Sequence, residues 1–207
     1  RSSQLLRSFT TPETAPKAHH SLPHTSIALT QGQYLDISYE ERRDLGIEDY
    51  WPMIGGKTAA LLAACTELGA LIGGADTEAC ATYRSFGELV GLAFQVEDDR
   101  LGIWGDQAQT GKSAESDLLA GKKSLPVLFG LEQAGEFADR WHHQGVDEDN
   151  LDEITTLLED SGAREYIESK AAELTQKALD TLEETGGRGP AHDALRELTT
   201  RMIQRKA

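Results

Sequence analysis

Between Phe94 and Pro126 runs FQVEDDRLGIWGDQAQTGKSAESDLLAGKKSLP, in which adjacent acids close an apolar helical stretch and three lysines, Lys112, Lys122 and Lys123, follow in polar surroundings. Asp98 and Asp99 lie three and four residues beyond Gln95, so on a helix the three polar groups emerge near one face, while Phe86, Val90 and Phe94 form an apolar stripe. Burying an unpaired carboxylate costs roughly several kcal/mol, so acids that continue such a helix reach solvent, pair with cations or hold a metal. Upstream, Gly55 and Gly56 loosen the backbone just before Lys57 and Thr58. A loosened backbone beside a Lys-Thr pair offers amide and side-chain donors to an anion, although spacing alone favours a packing point with a solvated lysine.

The ordered set Phe94, Gln95, Asp98, Asp99, Asp106, Thr110, Gly111, Lys112, Asp117, Gly121 and Lys122, followed by Ser124, Leu125 and Pro126, resembles the FQ-x-x-DD, TGK, D and GK elements of the trans-isoprenyl diphosphate synthase (polyprenyl synthetase) family. GQYLD at 32–36 and KTAALLAA at 57–64 reinforce the resemblance, in the family's order and at about its spacing. The resemblance implies an all-α, isoprenoid-synthase-like helical bundle around a central cleft, with Asp98 and Lys57 facing each other across it. It also implies a magnesium-dependent prenyltransferase that condenses an allylic diphosphate with isopentenyl diphosphate. In that frame Asp98, Asp99 and, more weakly, Asp106 are metal ligands. Lys57, Thr58, Gln95, Lys112 and Lys122 bind the diphosphate, and Asp98, Asp99, Lys57 and Lys112 carry the catalysis. Hard carboxylate oxygens suit Mg2+, which keeps several waters and so needs few protein ligands.

Two departures from the family pattern stand out. The common DD-x-x-D has glycine, Gly102, in place of its third aspartate, as in some bacterial members. Asp98 and Asp99 are also the only adjacent aspartate pair, so the family's first aspartate-rich motif and the basic residues before it have no counterpart here. The chain therefore reads as the C-terminal portion of a synthase, apparently lacking its N-terminal helices. Either it is a partial chain of a working enzyme, or a noncatalytic truncated homologue that binds diphosphate or partners a full synthase. The resemblance further implies homodimerisation or partnership with another synthase subunit.

Composition sets the outer bounds. The 207 residues suffice for one sizeable core, read as one domain. A net charge of −15 argues against nucleic acid or an anionic membrane surface as partner and fits a cytoplasmic protein. Thr58 to Cys65 and Ala70 to Ala75 are too short to span a bilayer, and the N-terminal residues lack a secretory apolar stretch. Cys65 and Cys80, without CxxC spacing, read as two reduced core cysteines.

The elements that must position the acids and lysines follow from punctuation and periodicity. Residues 1–24, with Pro12, Pro16 and Pro23, read as a loose arm or long loop before the synthase-like portion, 25–207. His20 and His24 have the HxxxH spacing of a metal pair, but the flanking prolines argue against a stable helix, which leaves solvated histidines. From Thr25 to about Arg43, Ile27, Gln31, Tyr34 and Leu35 suit an amphipathic helix whose inward face carries polar groups. Gln33 and Asp36 there could serve helix packing as well as substrate. Glu48 and Asp49 favour a helix start, with Pro52 near it. Asp76 or Thr77 caps a helix reaching about Ile103, and Trp104 to Asp117 should be a surface loop. Ser124 then caps a helix with Pro126 in its first turn. Further helices fall near 134–143, 148–160, 163–185 and 190–206, separated by Gly162 and by Gly186 and Gly187. The acids from Glu148 to Glu153 read as a solvated face, and His142, His143 and His192 have no partner pattern.

Overall fold

The structure, a computed structural model, describes residues 14–105 and 116–203. Every regular element among them is helical: α1 (Ala15–Tyr39), α2 (Ile47–Ile54), a π-helical turn (Gly55–Ala59), α3 (Ala60–Ile72), α4 (Thr77–Trp104), α5 (Ser116–Leu119), α6 (Leu125–Glu132), α7 (Glu136–His143), α8 (Leu151–Asp160), α9 (Ala163–Glu184) and α10 (Pro190–Ile203). The fold is the expected all-α, isoprenoid-synthase-like bundle. Among the described residues no helix is long and apolar enough to cross a membrane.

The bundle is built on α4, the longest helix, which packs against both α3 and α9. Its start is fixed by Asp76, whose carboxylate accepts a hydrogen bond from the Ala79 amide at 2.8 Å and satisfies one of the helix's unpaired donors. Phe86 and Val90 then meet Ala178 and Leu182 of α9. A turn or two further on, Ala93 and Val96 join Tyr50, Met53, Leu125, Ile167 and Leu174 in the main core. Ile103, at the end of α4, enters a second cluster with Leu118, Val127, Phe137, Ile154 and Leu158. These two clusters flank the C-terminal part of α4 that carries Asp98 and Asp99.

Residues 15–24 are not a loose arm: α1 begins at Ala15. Pro16 falls in the first turn, where its missing amide hydrogen costs nothing. Pro23 is inside the helix, and its penalty is offset by packing, since Ala18 is fully buried against Leu71 and Cys80. The inward face of α1 is also different. Ile27, Tyr34 and Ile37 are 54%, 70% and 57% exposed, while Ala18, Thr25, Gly32 and Tyr39 are buried, at intervals of seven. Gly32 faces inward because α1 crosses the π turn backbone to backbone there. A Cβ at Gly32 would lie 2.1 Å from the Lys57 amide nitrogen, so only glycine fits. The helix ends at Tyr39 rather than near Arg43. Cys65 is exposed, so of the two free cysteines only Cys80 belongs to the core.

Ser124 stands at the N-cap of α6 with Pro126 in its first turn, as its sequence suggests, but the serine hydroxyl makes no capping bond. The Leu125 amide instead donates to Asp99 Oδ2 at 3.2 Å. A carboxylate delivered by α4 thus caps α6 and meets the positive end of its dipole.

Candidate active site

Asp99 is 1% exposed, and both of its oxygens are taken by donors of the chain. Oδ2 accepts from the Tyr50 hydroxyl at 2.8 Å and from the Leu125 amide. Oδ1 accepts from Gln95 Nε2 at 3.1 Å and from the Lys122 ammonium at 2.9 Å. Four donors on one carboxylate satisfy the buried charge almost completely. Tyr50, itself fully buried, has its pKa raised well above the ordinary 10.0, first by burial and then by the Asp99 charge. Lys122 also donates to Asp117 Oδ2 at 2.7 Å. Burial alone would lower the Lys122 ammonium, but Asp99 and Asp117 outweigh it and hold its pKa above the usual lysine range.

Asp98, one residue earlier, borders a cavity of about 420 Å³ shared with Asp36, Lys57, Gln95, Asp117 and Lys122. The cavity gathers four of the sequence-predicted site residues, Asp98, Lys57, Gln95 and Lys122. Asp98 and Asp99 do not share the face expected of them: adjacent helical residues diverge by about 100°, which sends Asp98 to the cavity and Asp99 into the core. Thr58 is tied in through its hydroxyl, which donates to Gln95 Oε1 at 2.8 Å. Thr58, Gln95, Asp99 and Lys122 therefore form one connected chain of hydrogen bonds.

Lys57 sits inside the π turn, which widens the helix where the two glycines had suggested a loosened backbone. Its ammonium meets Asp36 Oδ2 at 2.5 Å, with the two side chains 29% and 20% exposed. Asp36 thus holds Lys57 at the cavity edge, while Gln33 of the same motif is exposed. Lys123 also borders the cavity but lies over the Trp141 ring at 5.1 Å. Burial, then Arg43, pushes its pKa down.

Gly102 has a steric explanation. A Cβ at this position would lie 2.5 Å from Asp117 Oδ2 and 2.6 Å from its Cγ. The Asp117 carboxylate therefore occupies the space that a side chain at 102 would need, and brings an acid to the same end of α4. Sequence reasoning left Asp117 without a role and overlooked Tyr50. The D element of the family's ordered set, five residues before Lys122, was the available signal for Asp117; for Tyr50, buried in α2 far along the chain from Asp99, spacing carried none.

The donor set fits magnesium in a limited way. Among the described residues no three His, Cys, Asp or Glu side chains form a metal cage. Asp98 is the acid from the DD pair at the cavity, and magnesium commonly takes one or two carboxylates with water and phosphate oxygens completing its octahedron. Asp106 and Lys112, with Thr110 and Gly111, lie outside the described residues.

The site is a carboxylate-and-lysine cleft at the end of the central helix of an all-helical bundle. The chain belongs to the polyprenyl synthetase family, whose pattern it matches over residues 1–159. It is 37% identical over 184 residues to the geranylfarnesyl diphosphate synthase of Aeropyrum pernix, covering 88% of this chain and 56% of that protein. A polyprenyl synthetase structure from Streptomyces coelicolor A3(2) superposes with a TM-score of 0.83 at 34% identity, covering 97% of this chain and 61% of the other. A geranylgeranyl pyrophosphate synthase from Corynebacterium glutamicum, solved with isoprenyl diphosphate and magnesium, gives 0.84 at 28% identity, covering 95% and 57%. The chain thus spans little more than half the length of these relatives.

Proposed function

We propose that this chain supplies the second-motif half of a prenyltransferase site, in which an allylic diphosphate ionises and isopentenyl diphosphate attacks the resulting carbocation. The observation that carries the reading is the cavity where Asp98, Lys57, Gln95 and Lys122 converge beside Asp117 at the end of an apolar bundle. Loss of diphosphate from carbon is slow unless its growing negative charge is offset. Magnesium bound through Asp98 would offset part of that charge. Lys57 and Lys122, each aimed in advance by a carboxylate, donate to the remaining phosphate oxygens. Thr58 and Gln95 hold the hydrogen-bond chain in register beneath them. Asp99, with four donors on it, acts as the anchor for Lys122 and Gln95 rather than as a metal ligand. Lys112 and Asp106 keep the roles the family resemblance implies.

The half-length match supports a site completed by a segment carrying the first aspartate-rich motif. A second reading, a noncatalytic partner subunit, draws on the exposed Ile27, Tyr34 and Ile37 of α1, an apolar face suited to another helical chain or a second copy. A cytoplasmic setting accords with the net charge of −15.

Turnover separates the two. The chain would be co-purified with a polypeptide bearing a DD-x-x-D motif from a related synthase, and incorporation of isopentenyl diphosphate into prenyl product measured with magnesium. Incorporation that disappears in Asp98→Ala supports the first reading. A stable complex with no incorporation supports the second.

A further inference from the structure

We propose that His20 and His24 form a second metal site, separate from the cleft, which takes a divalent transition cation of the zinc, nickel or copper class through the two imidazole Nε2 atoms. The prolines around this pair argue against a helix, yet α1 is helical across it, which sets residues four apart on one face. The ring centroids are 4.2 Å apart and the two Nε2 atoms 3.1 Å apart. A metal at the usual 2.0–2.1 Å from each imidazole nitrogen would subtend an N–metal–N angle of about 100°, between the square-planar and tetrahedral values. Both rings are exposed, so a cation reaches them without opening the fold.

At 3.1 Å one Nε2 carries a hydrogen and the other accepts it, so a single proton lies between the rings. On metal binding that hydrogen moves to Nδ1 of its own ring, and both Nε2 lone pairs point at the cation. Among the described residues no third His, Cys, Asp or Glu completes a cluster, so water fills the other positions. Imidazole donors favour zinc, nickel and copper over magnesium, so the pair does not compete for the metal of the cleft.

The location gives the site a structural consequence. The two histidines bracket Pro23, whose missing amide hydrogen leaves the His19 carbonyl without its helical partner. They also border a cavity of about 770 Å³ with Glu67, Leu71, Cys80 and Arg84. A cation bridging residues 20 and 24 would clamp α1 at its weakest turn and firm the edge of that cavity.

The test is calorimetric titration of the full chain with zinc chloride in a non-chelating buffer, with histidine side-chain NMR identifying the nitrogens involved. One equivalent should bind, shifting His20 and His24 Nε2 and slowing hydrogen exchange over residues 18–24. His20→Ala and His24→Ala should each weaken binding by at least about tenfold, as a chelate falls to a single imidazole. His143→Ala should leave it unchanged, and magnesium should not displace the zinc. Zinc binding that persists in both variants, or no saturable zinc binding by the unaltered chain, overturns the proposal.

Discussion

Replacing Asp99 by asparagine separates an anchoring carboxylate from a metal-binding one. Both oxygens of Asp99 accept two hydrogen bonds, Oδ2 from Tyr50 and the Leu125 amide, Oδ1 from Gln95 and Lys122. Whichever way an asparagine amide turns, its NH2 group faces two donors where an acceptor stood. Lys122 also loses one of its two carboxylates and keeps only Asp117. Removing one member of a buried ion pair costs about 3–5 kcal/mol, a large share of the roughly 5–15 kcal/mol that stabilises an ordinary domain. Urea unfolding followed by circular dichroism should therefore show a loss of about 3 kcal/mol or more for Asp99→Asn. Asp98→Asn, at the cavity edge, should lose about 1 kcal/mol. If Asp99→Asn unfolds at the same urea concentration as the unaltered chain, the anchoring role is wrong and Asp99 is free to serve as a ligand.

Gly102→Asp restores the commoner family pattern, yet its Cβ would press on Asp117 and drive that carboxylate from Lys122. It should destabilise by about 1–3 kcal/mol in the same assay, and a gain in stability would show that Asp117 yields freely. Tyr50 and Lys122 both have raised pKa values, so the folded state binds their protons more tightly than the unfolded chain. Their contribution is complete below the ordinary tyrosine value of 10.0 and is lost as pH rises above it. The melting temperature should hold level from neutral pH to about 9.5 and fall beyond, a fall reduced in Tyr50→Phe. An unchanged alkaline profile in that variant would count against the Tyr50–Asp99 bond. Lys57→Ala removes a charge-assisted donor and should weaken diphosphate binding by about 10–100-fold, with little change in the unfolding midpoint.

Much of this architecture is legible in residues alone. Gly162 and the Gly186–Gly187 pair end and begin helices where glycine's freedom predicts, and Asp76 caps α4 by the ordinary chemistry of a short acid before a helical run. The cavity residues Lys57, Gln95, Asp98 and Lys122 are legible because the family's ordered motif marks them. Features that depend on tertiary contact are not. The inward face of α1 is set by how closely its backbone crosses the π turn at Gly32, which selects glycine there and turns Ile27 and Tyr34 outward against the hydrophobic pattern. Pro23 is tolerated within a helix that Ala18 anchors against Leu71 and Cys80, a fact of packing rather than of local propensity. The division of labour between Asp98 and Asp99 depends on Tyr50 and Leu125, 49 and 26 residues away along the chain. Gly102 likewise looks like a lost ligand until Asp117 is found in its space.

The cleft is expected to bind a magnesium–diphosphate unit through Asp98 and Lys57. Calorimetric titration of the purified chain with farnesyl diphosphate, with and without magnesium, tests it most directly, alongside Asp98→Ala and Lys57→Ala. Saturable binding that requires magnesium and is lost in Asp98→Ala is the predicted result. Binding that ignores both magnesium and Asp98, in a chain shown to be folded, would contradict it.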